Sequence, residues 1–235
     1  PIVNLTIPHF RTVNDEPNTQ PSPDLIDTLY TIEQRQDWMR DYLKNLGFDP
    51  LSFVGSARLS DNPKDVAKSI RIELGLENGW AANNYTWEQA LRTLIRSIED
   101  IGILVVVNGV VGNNTHRKLN VNEFRGFVLI DDLAPLIFIN GSDAKAAQMF
   151  TLAHELAHIW YGVSAIFDLK QLQPSKEKIE LLCNHTAAEF LIPEEDLRKS
   201  WQKVLHNDDR FQCMAREFKV SEIVAARRTL DLKLI

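Results

Sequence analysis

One short segment of the 235-residue chain brings together residue types that can do chemistry: His154-Glu155-Leu156-Ala157-His158. Residues i and i+4 share a face of an α-helix, so two imidazoles at this spacing can turn toward one ion. Zinc accepts neutral imidazole nitrogens at about 2.0–2.1 Å, a reach such a pair can meet. Glu155, beside the first histidine, would address a water rather than the metal. It would take that water's proton as general base and pass it to a leaving amine as general acid. The plain alternative is a helix that happens to carry two histidines in its core or on its surface.

A catalytic zinc needs a third protein ligand and an open position. The stretch Ser175–Phe190 offers Glu177, Glu180, Cys183, His185 and Glu189. At about 100° per residue, Glu180, Cys183 and Asn184 share one helix face. His185 lies about 140° from Glu180, and Glu189 is on the opposite side. From His158 to Glu180 is 22 residues, enough for one helix to end and a second to return beside it. Glu180 is the first candidate, against a reading as a solvated glutamate. Cys183 is the second, against a reading as a buried inert thiol. If Cys183 ligated as well, four protein ligands would close the site and make the zinc structural. Asn184 could hold a ligating imidazole from behind.

Periodicity and caps predict the elements that must position these residues. Ser142 opens and Gly162 closes a helix over Asp143–Tyr161. Further helices are predicted over Ser175–Phe190, Pro193–Lys203, Asp209–Phe218 and Ser221–Leu230. Ahead of them, Phe127–Ile130 and Leu136–Ile139 read as a hairpin, and Ile103–Val107 as a buried strand. Pro63 opens a helix to about Leu76. Thr86-Trp87-Glu88-Gln89 is a capping box for a helix to about Asp100. Asp24–Leu46 is helical, with Leu25, Leu29, Ile32, Met39, Leu43 and Leu46 in 4-3 spacing, Gln36 in the one polar gap and Gly47 as the stop. That stripe either docks on its own domain or serves as a coiled-coil-like partner helix, as in a homodimer. Pro1–Pro23 is proline-rich and polar, an extended arm. Strands come before helices, with no repeated βαβ unit. The expected class is α+β, with a small, mostly antiparallel sheet, an active-site helix and a helical C-terminal end.

Composition narrows the functional classes. Lys plus Arg number 26 against 32 Asp plus Glu, a net charge of −6, which makes a poor generic binder of nucleic acid. Two cysteines, Cys183 and Cys213, cannot build a disulfide framework and read as thiols of a reducing compartment, the cytoplasm. The longest apolar run, Ile101–Val107, is too short to cross a bilayer, and no membrane association is expected. No secretory signal is visible at the start. The first residue, Pro1, fits either a removed initiator methionine or a piece of something longer.

The segment His154–His158, followed by Ile179-Glu180-Leu181-Leu182-Cys183-Asn184-His185-Thr186-Ala187-Ala188-Glu189-Phe190-Leu191-Ile192-Pro193, resembles the ImmA/IrrE metallopeptidase domain. That family pairs HExxH with a later stretch approximating E-x-x-A-N-x-F-A-x-x-L-L-x-P. The resemblance implies a gluzincin-like zinc site in which His154, His158 and Glu180 are ligands and Glu155 is the catalytic base and acid. Gly126–Ile130 and Pro135–Asn140 are similar to the hairpin before the active helix, whose edge strand pairs with substrate in related peptidases. In order of elements the resemblance runs over about 51–234. It departs from the pattern at Cys183, where the family has alanine, and at Thr186, where it has phenylalanine. Spacing selects no oxyanion stabiliser among His116, Arg125, Tyr161 and His185.

Phe211–Leu232 reads helix, Val220-Ser221, helix, similar to a helix-turn-helix. Arg210–Ile235 holds six basic residues against three acidic ones, a local excess of three positive charges. The alternative is a small helical subdomain packed behind the zinc site. The organisation expected is an arm and helix over 1–50, then a peptidase-like domain over 51–235 whose residues 193–235 form the helical subdomain. The resemblance implies a zinc-dependent endopeptidase acting on a protein, such as a transcriptional repressor. The competing expectation is a regulator or antitoxin that uses a peptidase-like domain to bind a partner such as a toxin. Longer relatives carry an Xre-type helix-turn-helix domain ahead of this one, which would make DNA a partner through a domain missing here.

Overall fold

The computed structural model describes residues 21–77, 79–162 and 174–235; most of the arm, residues 1–20, lies outside them. The chain runs α1 (Pro23–Asn45), α2 (Pro63–Glu73), α3 (Trp87–Asp100), β1 (Leu104–Asn108), β2 (Val110–Val111), β3 (Asn114–Lys118), β4 (Gly126–Leu129), β5 (Leu136–Asn140), α4 (Lys145–Tyr161), α5 (Pro174–Leu191), α6 (Glu194–Val204), α7 (Arg210–Phe218) and α8 (Glu222–Asp231). This is an α+β fold, with one three-stranded and one two-stranded sheet among the described residues.

The larger sheet has the order β1-β5-β4. The expected hairpin is present: β4 pairs antiparallel with β5, Phe127 opposite Phe138 and Val128 opposite Ile137. β1 adds to the other side of β5 in parallel, Val106 opposite Phe138. Successive side chains of a strand point to opposite faces. Phe127, Leu129, Leu136 and Phe138 therefore fall on one side, clustered with Leu25, Leu29 and Ile32 of α1. Val128, Ile137 and Ile139 fall on the other, with Met149, Leu152 and Leu156 of α4. The sheet lies between two helices, which is why β5 is an unbroken apolar run rather than an alternating one. β2 and β3 form a short antiparallel ribbon beside it.

The stripe on α1 docks on its own domain, most deeply along the first half. Leu25, Leu29 and Ile32 are buried, Met39 and Leu43 half-buried and Leu46 exposed, while Trp38 and Tyr42, outside the stripe, are exposed. Gln36, the polar gap, marks the changeover: its Nε2 donates to the carbonyls of Leu129 and Ala134, both at 2.9 Å. Ser22 caps the helix and also donates to Glu123 on the sheet side, and Arg117 of β3 pairs with Asp24 and Asp27.

Helix α4 begins later than Ser142 predicts. The Ser142 hydroxyl donates instead to the Gly109 carbonyl, and its N–H is held by the Asn140 side chain. Ala144 takes the N-cap position with no side-chain cap, and Gln148 reaches back to the carbonyls of Gly141 and Asp143. The far end closes at Gly162 in the left-handed region, as expected. There the loop before α2 meets it. Gly55 N–H donates to Ile159 O at 2.9 Å and Ala57 N–H to Trp160 O at 2.8 Å, satisfying carbonyls that a helix end leaves open. Phe53 stacks on Trp160 at 4.7 Å.

The C-terminal helices share the core with α4 and α5. Leu197, Trp201, Met214, Phe218, Val220 and Ala225 belong to the same apolar cluster. No helix among the described residues is long and apolar enough to cross a membrane.

Candidate metal centre

Helices α4 and α5 pack side by side and carry the chemistry between them. The i,i+4 spacing puts His154 and His158 on one face of α4, their Nε2 atoms 3.2 Å apart. Glu180, one turn into the described part of α5, faces them: Oε2 lies 3.1 Å from His154 Nε2 and Oε1 3.4 Å from His158 Nε2. The three groups offer donor atoms that all lie within 4.8 Å of one another. Donors held tetrahedrally at about 2.0–2.1 Å from one ion stand about 3.3–3.4 Å apart, and these three pairs match that spacing. Two imidazoles and a carboxylate are a donor set that zinc accepts, and a His-His-Glu cluster of this kind could hold a metal.

The surroundings orient these groups. His154 and His158 are fully buried, while Glu180 is about one-third exposed, at 35%. Asn184, one turn beyond Glu180, places its Oδ1 3.1 Å from His154 Nδ1. A ring that donates its Nδ1 proton to that oxygen would have its Nε2 lone pair available to an ion held among the three groups. Burial pushes the Glu180 carboxyl up, but the hydrogen bonds and charge of the two histidines outweigh it and hold the group well below the usual carboxylate range. Glu155 is 1% exposed and sits on the same helix, outside the three-donor cluster.

The remaining candidates separate cleanly. Cys183 is buried in the core beside these groups, but its sulfur is not part of the donor cluster, so no fourth protein ligand closes the site among the described residues. Burial pushes its thiol up strongly, and the nearby Glu180 and Glu155 add to the rise. His185 points to solvent. Glu177 lies outside the described side chains. Of the oxyanion candidates, Tyr161 makes a buried contact from its hydroxyl to Thr186 Oγ1 at 3.1 Å, Arg125 pairs with Asp143, and His116 is exposed on β3. The Tyr161–Thr186 pair gives the departure at Thr186 a physical reason: a hydroxyl there meets a hydroxyl from α4.

Glu189 turns away from the centre and is used elsewhere. It forms a buried ion pair with Arg228 of α8, and Arg228 Nε also donates to Ile192 O at 3.2 Å. Arg71 of α2 donates to the Glu189 carbonyl at 2.9 Å. Two arginines thus tie down the end of the helix that presents Glu180. Sequence reasoning missed both. Arg228 was read as part of a basic end, yet Arg228 and Lys219 are buried, and the Lys219 ammonium donates to Arg216 O under the ring of Trp87. Two of the six basic residues there serve internal packing.

The Peptidase_M78 family model, described as the IrrE N-terminal-like domain, matches residues 98–230, more than half of the chain. The match begins later than the stretch 51–234 over which the order of elements is similar. No curated protein matches the chain significantly. Solved structures similar to it include one titled a Mycobacterium tuberculosis transcriptional regulator, at 16% sequence identity and a TM-score of 0.45. That alignment covers 84% of this chain and 60% of the other, so the chain spans less than two thirds of that structure's length.

Proposed function

Because the chain belongs to the Peptidase_M78 family, we propose that it is a zinc-dependent endopeptidase acting on a protein substrate, a transcriptional regulator in our reading. The observation that carries this is the convergence of His154, His158 and Glu180 at the spacing of one ion, with Glu155 in the same helix turn. His154, His158 and Glu180 would hold the zinc. When bound, zinc polarises a carbonyl and makes water a nucleophile at neutral pH. The chain's own part is proton transfer and orientation. Glu155 takes a proton from the attacking water and returns it to the leaving nitrogen, so that its own charge is restored over the cycle. Asn184 fixes the His154 ring, and the Glu189–Arg228 pair fixes the helix that presents Glu180. In this reading residues 51–235 are the peptidase-like domain, and α1 is a layer added over its sheet. The buried Cys183 thiol supports a reducing, cytoplasmic setting.

The test combines metal analysis with a cleavage assay on regulators encoded nearby. Wild type should bind one zinc per chain and Glu180→Ala should lose it. Glu155→Gln should keep the zinc and lose about 10²–10⁴-fold in cleavage rate. Zinc-loaded protein that cleaves none of them, yet holds one in a complex that Glu155→Gln leaves intact, would replace the enzyme with a binding module.

A further inference from the structure

A cleft of about 650 Å³, partly open to solvent, lies between α2, the loop before α3, the end of α5, α6 and α7. Its wall is largely apolar and aromatic. The rings of Trp80 and Phe190 stand 6.3 Å apart, inclined at 42°, with Phe218, Leu191 and Pro193 beside them. Phe190 lies roughly 15 Å along α5 from Glu180, and the cleft shares no residue with the His154–His158–Glu180 cluster. Small-molecule sites are concave, mostly apolar and furnished with a few convergent polar groups.

The polar groups here say what fits. Arg71, Lys199, Asp196 and Glu217 line the cleft, two of each sign, so their charges cancel and an uncharged ligand suits them. Glu217 accepts from the Ser200 hydroxyl at 2.6 Å, and Lys199 stands in solvent, 3.8 Å from Asp196 Oδ1. The other two are only partly used. Arg71 Nη1 donates to the carbonyls of Glu189 and Phe190, while its Nε and Nη2 have no acceptor among the described residues. Asp196 Oδ2 is out of water and accepts no hydrogen bond. Burial lowers the Arg71 guanidinium from its ordinary value and the charge of Asp196 partly offsets this, yet the two form no ion pair. A buried acceptor without a donor is costly, so a ligand that supplies the donor is favoured over one that does not.

A donor and an acceptor left over in one cleft call for the converse pair on the ligand, a carbonyl for Arg71 and an N–H for Asp196. A primary amide or a lactam presents both on one edge. We propose that this cleft binds a small uncharged aromatic amide or lactam, its N–H donated to Asp196, its carbonyl accepting from Arg71 and its ring against Trp80 and Phe190. A carboxylate in place of the amide would set a negative charge against Asp196, and an ammonium would set a positive one against Arg71. The proposal stands independently of the metal centre.

The probes are nicotinamide, an aromatic amide, and uracil, a lactam, titrated at millimolar concentration into the full chain and followed by NMR and calorimetry. At least one should bind saturably. The N-methylated forms, N,N-dimethylnicotinamide and 1,3-dimethyluracil, keep ring and carbonyl but have no N–H, and should bind about tenfold or more weakly. Nicotinate should be weakened likewise by its charge. Asp196→Ala should lose a similar factor and no longer distinguish a probe from its methylated form. The only ion pair of Asp196 among the described residues is the loose one with Lys199, so circular dichroism should report an unchanged fold. Ala82→Trp, at an exposed position of the cleft wall, should fill the space and abolish binding without touching Asp196. Three results would each overturn the proposal: neither probe binding, a methylated form binding as tightly as its parent, or wild-type affinity in Asp196→Ala.

Discussion

Helix α4 buries polar side chains, whereas the far half of α1 exposes apolar ones. From Gln148 to Tyr161 α4 keeps almost every residue out of water, Gln148, Thr151, His154, Glu155 and His158 among them. From Trp38 onward α1 leaves Trp38, Tyr42 and Leu46 open. Both departures run against the ordinary partition, in which apolar residues go inside and charged ones stay wet, and such departures carry information about function. Two of the buried groups of α4 meet α5, His154 at Asn184 and Tyr161 at Thr186, while Arg228 of α8 braces the end of α5 and the Gly55 loop the end of α4. Among the described residues, the apolar groups at the far end of α1 lie open instead. The comparison predicts that substitutions behind α4 and α5 are costly, whereas substitutions on the outer face of α1 cost the monomer almost nothing.

The largest effect is expected at Arg228. Its guanidinium and the Glu189 carboxylate are both buried, so Arg228→Met leaves a carboxylate stranded in the core and a bond to Ile192 O unmade. Breaking one half of a buried pair costs about 3–5 kcal/mol, which urea unfolding would read directly. A wild-type midpoint would mean that the end of α5 is held by packing alone, and the contrast with α1 would weaken.

Leu29 sharpens the comparison within a single helix. It is buried against the aromatic face of the sheet, formed by Phe124, Phe127 and Phe138. Leu29→Ala should cost about 2–5 kcal/mol through lost burial and the cavity left behind. The measurement is again the denaturant midpoint, and a cost near zero would mean that α1 is only loosely laid on the sheet.

Gly162 comes next. Its φ is +60°, and a Cβ there would stand 2.5 Å from the Cα of Gly55. Gly162→Ala should cost about 2 kcal/mol, from the left-handed backbone with the clash added. The same substitution pushes the Gly55 loop away from the carbonyls of Ile159 and Trp160, next to His158. Hydrogen exchange at the Gly55 and Ala57 amides should therefore rise with the loss of stability. Unchanged protection at those amides would show that the loop does not hold this end of α4.

What could be read from the sequence was local. The capping box at Thr86 and Gln89 appears with both of its bonds, because four neighbouring residues specify it. The two histidines share a face because helix geometry alone decides it, and the hairpin of β4 and β5 follows from two apolar runs joined by a short turn. Partners distant in the chain were harder. The parallel pairing of β1 with β5 leaves no mark in either strand, and the ion pair between Glu189 and Arg228 spans 39 residues. The β2–β3 ribbon had a signal that was passed over, Gly112-Asn113 between short extended segments, with Gly112 at φ +56°. The stripe on α1 looked continuous because spacing cannot say where the sheet beneath it ends. Gln36 marked the place, since a buried amide is tolerable only where carbonyls await it.

The smallest effect expected is also the most discriminating. Trp38 and Leu29 lie on opposite sides of the same helix, and ordinary reasoning gives the larger side chain the larger role. Measured by denaturant unfolding, Trp38→Ser should change stability by no more than about 0.5 kcal/mol, as for a surface site away from special features. The substitution gives up the stack on Tyr42, an exposed i,i+4 pair worth about 0.2–0.5 kcal/mol, and leaves no cavity. A cost comparable to that of Leu29→Ala would mean that Trp38 is packed within its own chain, and the outer face of α1 would then belong to the core rather than to the surface.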